Sequence, residues 1–345
     1  LPGAVALPLY FTLFQSIKRK PGGFSDPPGK FVSFNPTLQP LCSMAFALYP
    51  GESLAEEIKR LLKEESDFVL EKLGSEQKKH KAIHESRKSH KKIRAILRLV
   101  RPTIGEKRFK AENTFYRDNA RLLSEIRDAT ALIEALAELE QLKPKDTSLA
   151  IFKQLSQLLE AHRSQRSREA IDQAEVMTQA RTKVQYQQDQ IPSLPLGGNK
   201  FKLIRKGLTQ IYSRGYLGAR QTHRHPSMEN VHDWRKRVKY LWYAVSILSP
   251  TWPAMMDPFA KELKVLSDHL GMWRDLGLLE DFVQEKGAEA LDERAQTRLF
   301  TQTQMRREEL LELSFSLALR IYREKPLDFV FRLEGYWQAW QAVSQ

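Results

Sequence analysis

One helix-shaped pattern occurs twice in this chain, and it limits the fold more than any other feature. Residues 231–248 read VHDWRKRVKYLWYAVSIL, and residues 82–102 read AIHESRKSHKKIRAILRLVRP. Wound at about 100° per residue, the later copy gathers Val231, Trp234, Val238, Leu241, Trp242, Val245 and Leu248 on a broad apolar stripe. His232, Arg235, Lys236 and Lys239 fall at i, i+3, i+4 and i+7 and form a cationic stripe beside it. His84, Arg87, Lys88 and Lys91 have the same offsets 148 positions earlier. Ile83, Ile93, Leu97 and Val100 then align with Val231, Leu241, Val245 and Leu248. The first copy departs at Ser86, His90 and Arg94, which stand where the second has Trp234, Val238 and Trp242.

A second echo follows each copy. LLSEIRDATALIEAL carries Arg127-Asp128, and HLGMWRDLGLLEDFV carries Arg274-Asp275, 147 positions on. Two ordered motifs at almost one shift indicate an internal duplication of long repeats. Helical periodicity runs through both halves and strand signals are nearly absent. The expected fold is all-α: two pseudo-symmetric four-helix bundles, at 51–190 and 191–345, after an irregular N-terminal extension at 1–50. Ser53 with Glu56 reads as the capping box of the first helix. Later helices are expected over about 75–100, 106–141 and 146–188, and IPSLPLGGN at 191–199 marks the boundary between halves. The second half repeats the plan, with a helix over 252–286 bent near Gly271.

Charge narrows the class of partner. The chain of 345 residues has 55 Lys and Arg against 42 Asp and Glu, a net charge of +13. That imbalance points to a polyanion: nucleic acid, an acidic membrane surface or a phosphate polymer. The charge is also clustered. Ten Lys and Arg against two acids lie between Ser75 and Arg101, and seven with no acid between Gln190 and Met228. The single cysteine, Cys42, excludes an intramolecular disulfide framework and fits a reducing, cytoplasmic compartment. The apolar run LPGAVALPLYFTLF is too short to span a bilayer, so no membrane partner is expected.

The duplicated H-x-x-R-K-x-x-K helix, each copy followed by a leucine-rich helix with Arg-Asp, resembles the CHAD domain over about residues 53–340. VHDWRKRVKYLWYAVSIL with LSDHLGMWRD fits the family's second half closely. The resemblance implies paired helical bundles that bind inorganic polyphosphate on basic surfaces around their junction, and association with polyphosphate granules. Some relatives are fused to a triphosphate-tunnel domain with an E-x-E-x-K signature. This chain has no such signature, so no phosphohydrolase activity is implied.

The candidate polyphosphate-binding residues are Lys81, His84, Arg87, Lys88, Lys91, Arg94 and Arg98 on the first motif helix, with Arg127 after it. In the second half they are Lys202, Arg205, Lys206 and Arg220, then His232, Arg235, Lys236 and Lys239, with Arg274 after them. Arginine offers bidentate forks to phosphate and lysine mobile point charges. His84 and His232 either gain charge beside phosphate, raising affinity below neutral pH, or hydrogen-bond across the bundle and orient helices. Asp128 and Asp275 read as structural partners of basic helices rather than proton donors. The spacings His80/His84 and His223-x-His225 suit metal ligands, but their cationic surroundings oppose a divalent ion; no metal or cofactor is expected. The aromatic residues of the second motif fall on the core stripe and read as packing.

Three functions compete at this stage. Non-catalytic polyphosphate binding leads. RNA or single-stranded DNA binding is the rival, since both ligands offer a phosphate backbone, though no recognised nucleic-acid motif occurs. An enzyme of polyphosphate metabolism would need a P-loop, nucleophile or carboxylate cluster that the sequence lacks.

Overall fold

A computed structural model describes residues 46–345 except 76–78, 124–127, 143–148, 170–172, 199, 288–289 and 345. The chain is all-α, and the described residues contain no strand. The first half supplies α1 (Leu54–Leu73), α2 (Lys79–Leu99), the short α3 (Arg101–Ile104), α4 (Glu106–Leu122), α5 (Asp128–Leu142), α6 (Leu149–Glu169) and α7 (Gln173–Gln188). The second supplies α8 (Lys202–Arg224), α9 (Met228–Leu248), α10 (Pro253–Lys286), α11 (Glu293–Ile321) and α12 (Pro326–Ser344). Ser53 caps α1 as expected, its hydroxyl accepting from the Glu56 amide at 3.3 Å, while the Glu56 carboxylate turns outward to Lys59 at 3.1 Å.

The two motif helices are α2 and α9, and they pack directly on each other. The aligned apolar positions are buried: Ile83, Ile93, Leu97 and Val100 on one, Val231, Leu241, Val245 and Leu248 on the other. Both helices are wrapped further: Ala95, Ile96 and Leu99 of α2 and their counterparts Tyr243, Ala244 and Ile247 of α9 are buried too, as is Tyr240. Helix α8 crosses the end of α2 at Gly207, where a Cβ would collide with the carbonyl of Leu99. Only glycine permits so close a crossing.

The helices group differently from two bundles of four. Helices α1, α2, α4 and α7 pack together, but the α5–α6 hairpin lies against α10 and α11 of the second half. The expected helices at 106–141 and 146–188 are each two helices, which frees the middle pair to leave its own bundle. Its apolar residues Leu132, Ala135, Leu136 and Leu139 recur at helical spacing and join the main core together with Phe152, Leu155 and Leu159. Arg306 of α11 donates to Glu138 of α5 at 2.6 Å, and His162 of α6 lies 5.1 Å from the ring of Phe282. The main core therefore runs from Leu48 to Trp337, and a second, smaller cluster holds Val69, Ile83 and Val184. The segment 191–198 separates the halves in chain order but not in packing, because Ile191, Leu194 and Leu196 are buried in the main core. Helix α10 runs as one continuous helix over Pro253–Lys286, matching the expected span. Of the expected extension, residues 1–45 with Cys42 lie outside the described residues. Its described end is packed: Leu48 is buried and its amide donates to the Ile247 carbonyl at 3.0 Å.

Ser86 and His90 are both fully buried, at the positions of Trp234 and Val238 in the other copy, and the departure at His90 has a structural use, while the Ser86 hydroxyl has no hydrogen-bond partner among the described residues. His90 Nδ1 lies 2.6 Å from the Ser86 carbonyl and donates to it, so Nε2 is the acceptor for Asn119 Nδ2 at 3.0 Å. The Asn119 amide also donates to the Ala180 carbonyl at 3.2 Å. A neutral imidazole thus ties α2 to α4, and the amide ties α4 to α7. Burial holds the His90 pKa down at about 4, the Ser86 bond opposes it, and Arg94 and Arg87 act with burial. An unfolded histidine titrates at about 6.5, so the unfolded chain takes up this proton first. The stabilisation is complete above that value and is lost as pH falls toward 4, by on the order of 3 kcal/mol. Urea midpoints at pH 7 and pH 4.5 should show this loss. His90→Asn should be less stable at pH 7 and lose less between the two pH values; an undiminished pH dependence would exclude His90 as its source.

Candidate anion-binding site

The cationic stripes of α2 and α9 remain at the surface because the apolar stripes beside them are committed to the core. Corresponding residues make corresponding contacts. Arg87 Nη1 donates to the Leu123 carbonyl at the end of α4 at 3.0 Å, and Arg235 Nε donates to the Ser267 carbonyl of α10 at 3.2 Å. Each arginine braces its helix against the next. Gly271 makes the second contact possible, since a Cβ there would run into the Arg235 guanidinium. Lys88 pairs with Glu85 at 3.7 Å, and Lys236 pairs with Asp233, again three residues before it. Both lysines stay well exposed, so these pairs are weak and exchangeable.

Around α9 the structure brings His232, Arg235, Lys236 and Arg274 together. Arg274 of α10 contacts Asp275 at 3.4 Å. Burial lowers the His232 pKa to about 4, Lys236, Arg274 and Arg235 push the same way, and Asp233 opposes them. His232 is therefore neutral at pH 7 in the free protein, with a buried Nδ1 that has no hydrogen-bond partner among the described residues. His84 is half-exposed, 3.9 Å from the Glu85 carboxylate.

Along α2 the track continues through Arg94, whose Nε donates to Asn113 at 3.1 Å, to Arg98. Arg98 is the meeting point of the two helices. Its Nη1 donates to the Arg94 carbonyl at 2.7 Å, and its guanidinium lies 4.0 Å from the ring centre of Tyr240 on α9. Arg101, Arg214 of α8 and Arg237 of α9 line the same small cavity. Burial pulls the Arg98 pKa down to about 10, Tyr240 opposes this, and the charges of Arg94, Arg237 and Arg101 add to it. Arg214 is lowered by burial and by Arg101 and Arg237, with Glu106 opposing. Among the described residues, no ion pair reaches Arg98, Arg214 or Arg237.

Sequence reasoning named Arg98 but not Arg101, Arg214 or Arg237. Arg237 lies off the i, i+3, i+4, i+7 stripe, and Arg214 and Arg101 belong to the basic clusters without matching any motif position. Some expected residues lie apart from this junction. Lys202 and Lys206 are exposed near the start of α8, Arg205 is held bidentately by Glu334 of α12, and Arg220 lies over the Tyr216 ring at 5.7 Å. Lys81 is exposed at the start of α2, and Lys91 and Lys239 are half-buried. Arg127 lies outside the described residues. Of the α9 aromatics, Trp234, Tyr240 and Tyr243 are core, Trp234 being fully buried and stacked on Phe315 at 5.5 Å, and Trp242 is half-buried against that core. Among the described residues, no group of three or more His, Cys, Asp or Glu is placed to hold a metal ion, and no helix is long and apolar enough to cross a membrane.

A family profile, the CHAD domain, matches residues 52–284. The chain belongs to the CHAD family. The matched part of this CHAD chain holds both motif helices and the four arginines at their junction, and it ends inside α10. Helices α11 and α12 lie beyond it. A crystal structure of the CHAD domain from the plant Ricinus communis is similar over 84% of this chain and 94% of its own, with 16% identity and a TM-score of 0.49. No curated protein matches the chain.

The Gly271 shelf has a direct test. Gly271→Ala should leave the thermal midpoint unchanged or lower it, because the gain of about 1 kcal/mol from alanine in a helix interior is offset by loss of the charged Arg235–Ser267 hydrogen bond, worth about 1.5–3 kcal/mol. It should also dislodge Arg235 from Ser267. Faster solvent exchange of the Arg235 Nε–H, followed by NMR, would register that; unchanged protection would mean that the shelf does not hold Arg235.

Proposed function

We propose that this CHAD chain binds inorganic polyphosphate, without turnover, on the basic surface where α2 and α9 meet. The observation that carries this reading is the junction itself. Two helical tracks of Arg and Lys are packed side by side, and they join at Arg98 and Arg237 with few carboxylates to neutralise them. Such a surface is costly in the free protein and is relieved by a ligand of repeating negative charge. Polyphosphate supplies that charge without bases, and three of the four aromatics of α9, Trp234, Tyr240 and Tyr243, are buried rather than free to stack on bases. Guanidinium and ammonium groups hold phosphate oxygens but do not themselves supply a nucleophile, so the reading is of binding. Association with polyphosphate granules would follow from the same contacts.

Calorimetry with long-chain polyphosphate, and with single-stranded DNA in parallel, tests this. The variant should combine Lys88→Gln, Lys236→Gln and Arg274→Gln, which spare the bracing arginines Arg87 and Arg235. Polyphosphate should bind more tightly than DNA, and the variant should lose about tenfold or more in affinity, equivalent to about 1.4 kcal/mol. The salt dependence should also flatten by about 0.7–0.9 in logarithmic slope per lost phosphate contact, by analogy with nucleic acids. Equal binding of both ligands, or an unaffected variant, would reduce the site to a generic positive surface.

His232 gives the pH dependence its sign. Its free-state pKa of about 4 rises when an anion settles beside Lys236 and Arg274, so the complex holds the proton more tightly than the free protein. Affinity should be nearly flat from pH 8 to 7 and rise as pH falls from 6 to 5, a more acidic window than the sequence suggests. Dissociation constants at pH 7.5, 6 and 5 for wild type and His232→Gln would check it, the variant losing the rise.

A further inference from the structure

The four-arginine cavity differs from the tracks that lead to it. Arg98, Arg101, Arg214 and Arg237 come from four segments, α2, α3, α8 and α9, and converge rather than run in a line. The cavity between them is about 10 Å³, room for about one oxygen atom or water. Arg98 is fixed in direction by the Arg94 carbonyl and the Tyr240 ring. One carboxylate already sits at the rim. Glu106, the first residue of α4, takes both forks of Arg101 at 2.7 and 2.8 Å and also acts on Arg214. Its side chain is 66% exposed, so the pair is open to exchange. The other carboxylate acting on this group, Asp233 near Arg237, is occupied by Lys236.

We propose that this cavity is a discrete site for a terminal phosphoryl group, and that Glu106 holds the place of that group in the free protein. The inference rests on the polyphosphate reading for its biological ligand but concerns a different part of the anion. A phosphate inside a condensed chain has two non-bridging oxygens sharing one negative charge. A terminal phosphoryl group has three, with up to two charges. Guanidiniums converging from several directions suit the second. One oxygen enters the cavity between Arg98 and Arg237, and the others take the forks of Arg101 and Arg214 as Glu106 swings into solvent. The tracks then carry the chain and the cavity reads its end. Glu106 sets a threshold, because an anion that does not outcompete a carboxylate leaves the site closed.

The chemistry separates by choice of probe. Pyrophosphate is all chain end; cyclic trimetaphosphate carries three charges and has no end; orthophosphate tests the free ion as the source. Calorimetry on the full chain at fixed salt should show pyrophosphate binding at one site, with trimetaphosphate about tenfold weaker or more and orthophosphate weaker than pyrophosphate. Arg214→Gln, at an exposed position, should weaken pyrophosphate about tenfold. Glu106→Gln should tighten it severalfold, with the thermal midpoint confirming that both variants fold. A Lys88→Gln, Arg274→Gln variant, which keeps Lys236 on Asp233, should weaken long-chain polyphosphate and leave pyrophosphate unchanged. Equal affinity for trimetaphosphate and pyrophosphate, or indifference to both Arg214→Gln and Glu106→Gln, would overturn the proposal. Loss of pyrophosphate binding with long-chain binding intact would overturn the end site alone. Absence of long-chain binding with pyrophosphate still bound would overturn the polyphosphate reading instead and leave the cavity standing as a site for small phosphates.

Discussion

The packing of α2 on α9 is the constraint on which the rest of the molecule depends. Each helix carries an apolar stripe and a cationic stripe side by side. Burying the first fixes where the second emerges, and doing this twice, on helices in contact, places like charges beside one another. Like charges on a rigid surface repel, and the repulsion is tolerated because the apolar stripes are buried almost completely. The hydrophobic term thus holds the molecule in an electrostatically unfavourable arrangement that an anion would relieve. Arg98 is where this is most acute, since its guanidinium is both desolvated and surrounded by others.

Not all of the motif's charge is available to a ligand. Arg87 and Arg235 donate to main-chain carbonyls on neighbouring helices, and Lys88 and Lys236 lean on acids three residues before them. The same contacts at the same motif positions in both copies divide the stripe into arginines that brace and lysines that stay loose. Helix spacing explains the lysine pairs, because positions i and i+3 are neighbours on any helix. The bracing contacts instead need a neighbouring helix at the right distance. On α10 that distance depends on one missing Cβ at Gly271.

The first copy shows how a motif tolerates change. Replacing a Trp and a Val by Ser86 and His90 would leave polar groups in the core, which is costly unless each finds a partner. The Ser86 carbonyl and Asn119 supply the partners for His90, and the imidazole stays neutral. In the sequence these residues look like a weakened repeat. In the structure His90, through the Ser86 main-chain carbonyl and Asn119, belongs to a hydrogen-bonded link among three helices, while the Ser86 hydroxyl stays without a partner among the described residues.

The sequence by itself determined the helical class, the two motif helices and their buried faces, because periodicity is a property of one helix and needs no partner. It also made the cationic stripes legible, since His232, Arg235, Lys236 and Lys239 share a face in any α-helix. Helix boundaries were legible where a local cap exists, as at Ser53. Only the tertiary structure decided which helices meet. The α5–α6 hairpin has an apolar face that either half could have covered, and its place on α10 and α11 follows from contacts remote in sequence. Arg101, Arg214 and Arg237 share no motif and no helix face with Arg98. They become one site because Gly207 lets α8 cross the end of α2, and because α9 lies against that same end. Convergence of charges from separate segments is a property of packing, and no spacing along the chain encodes it.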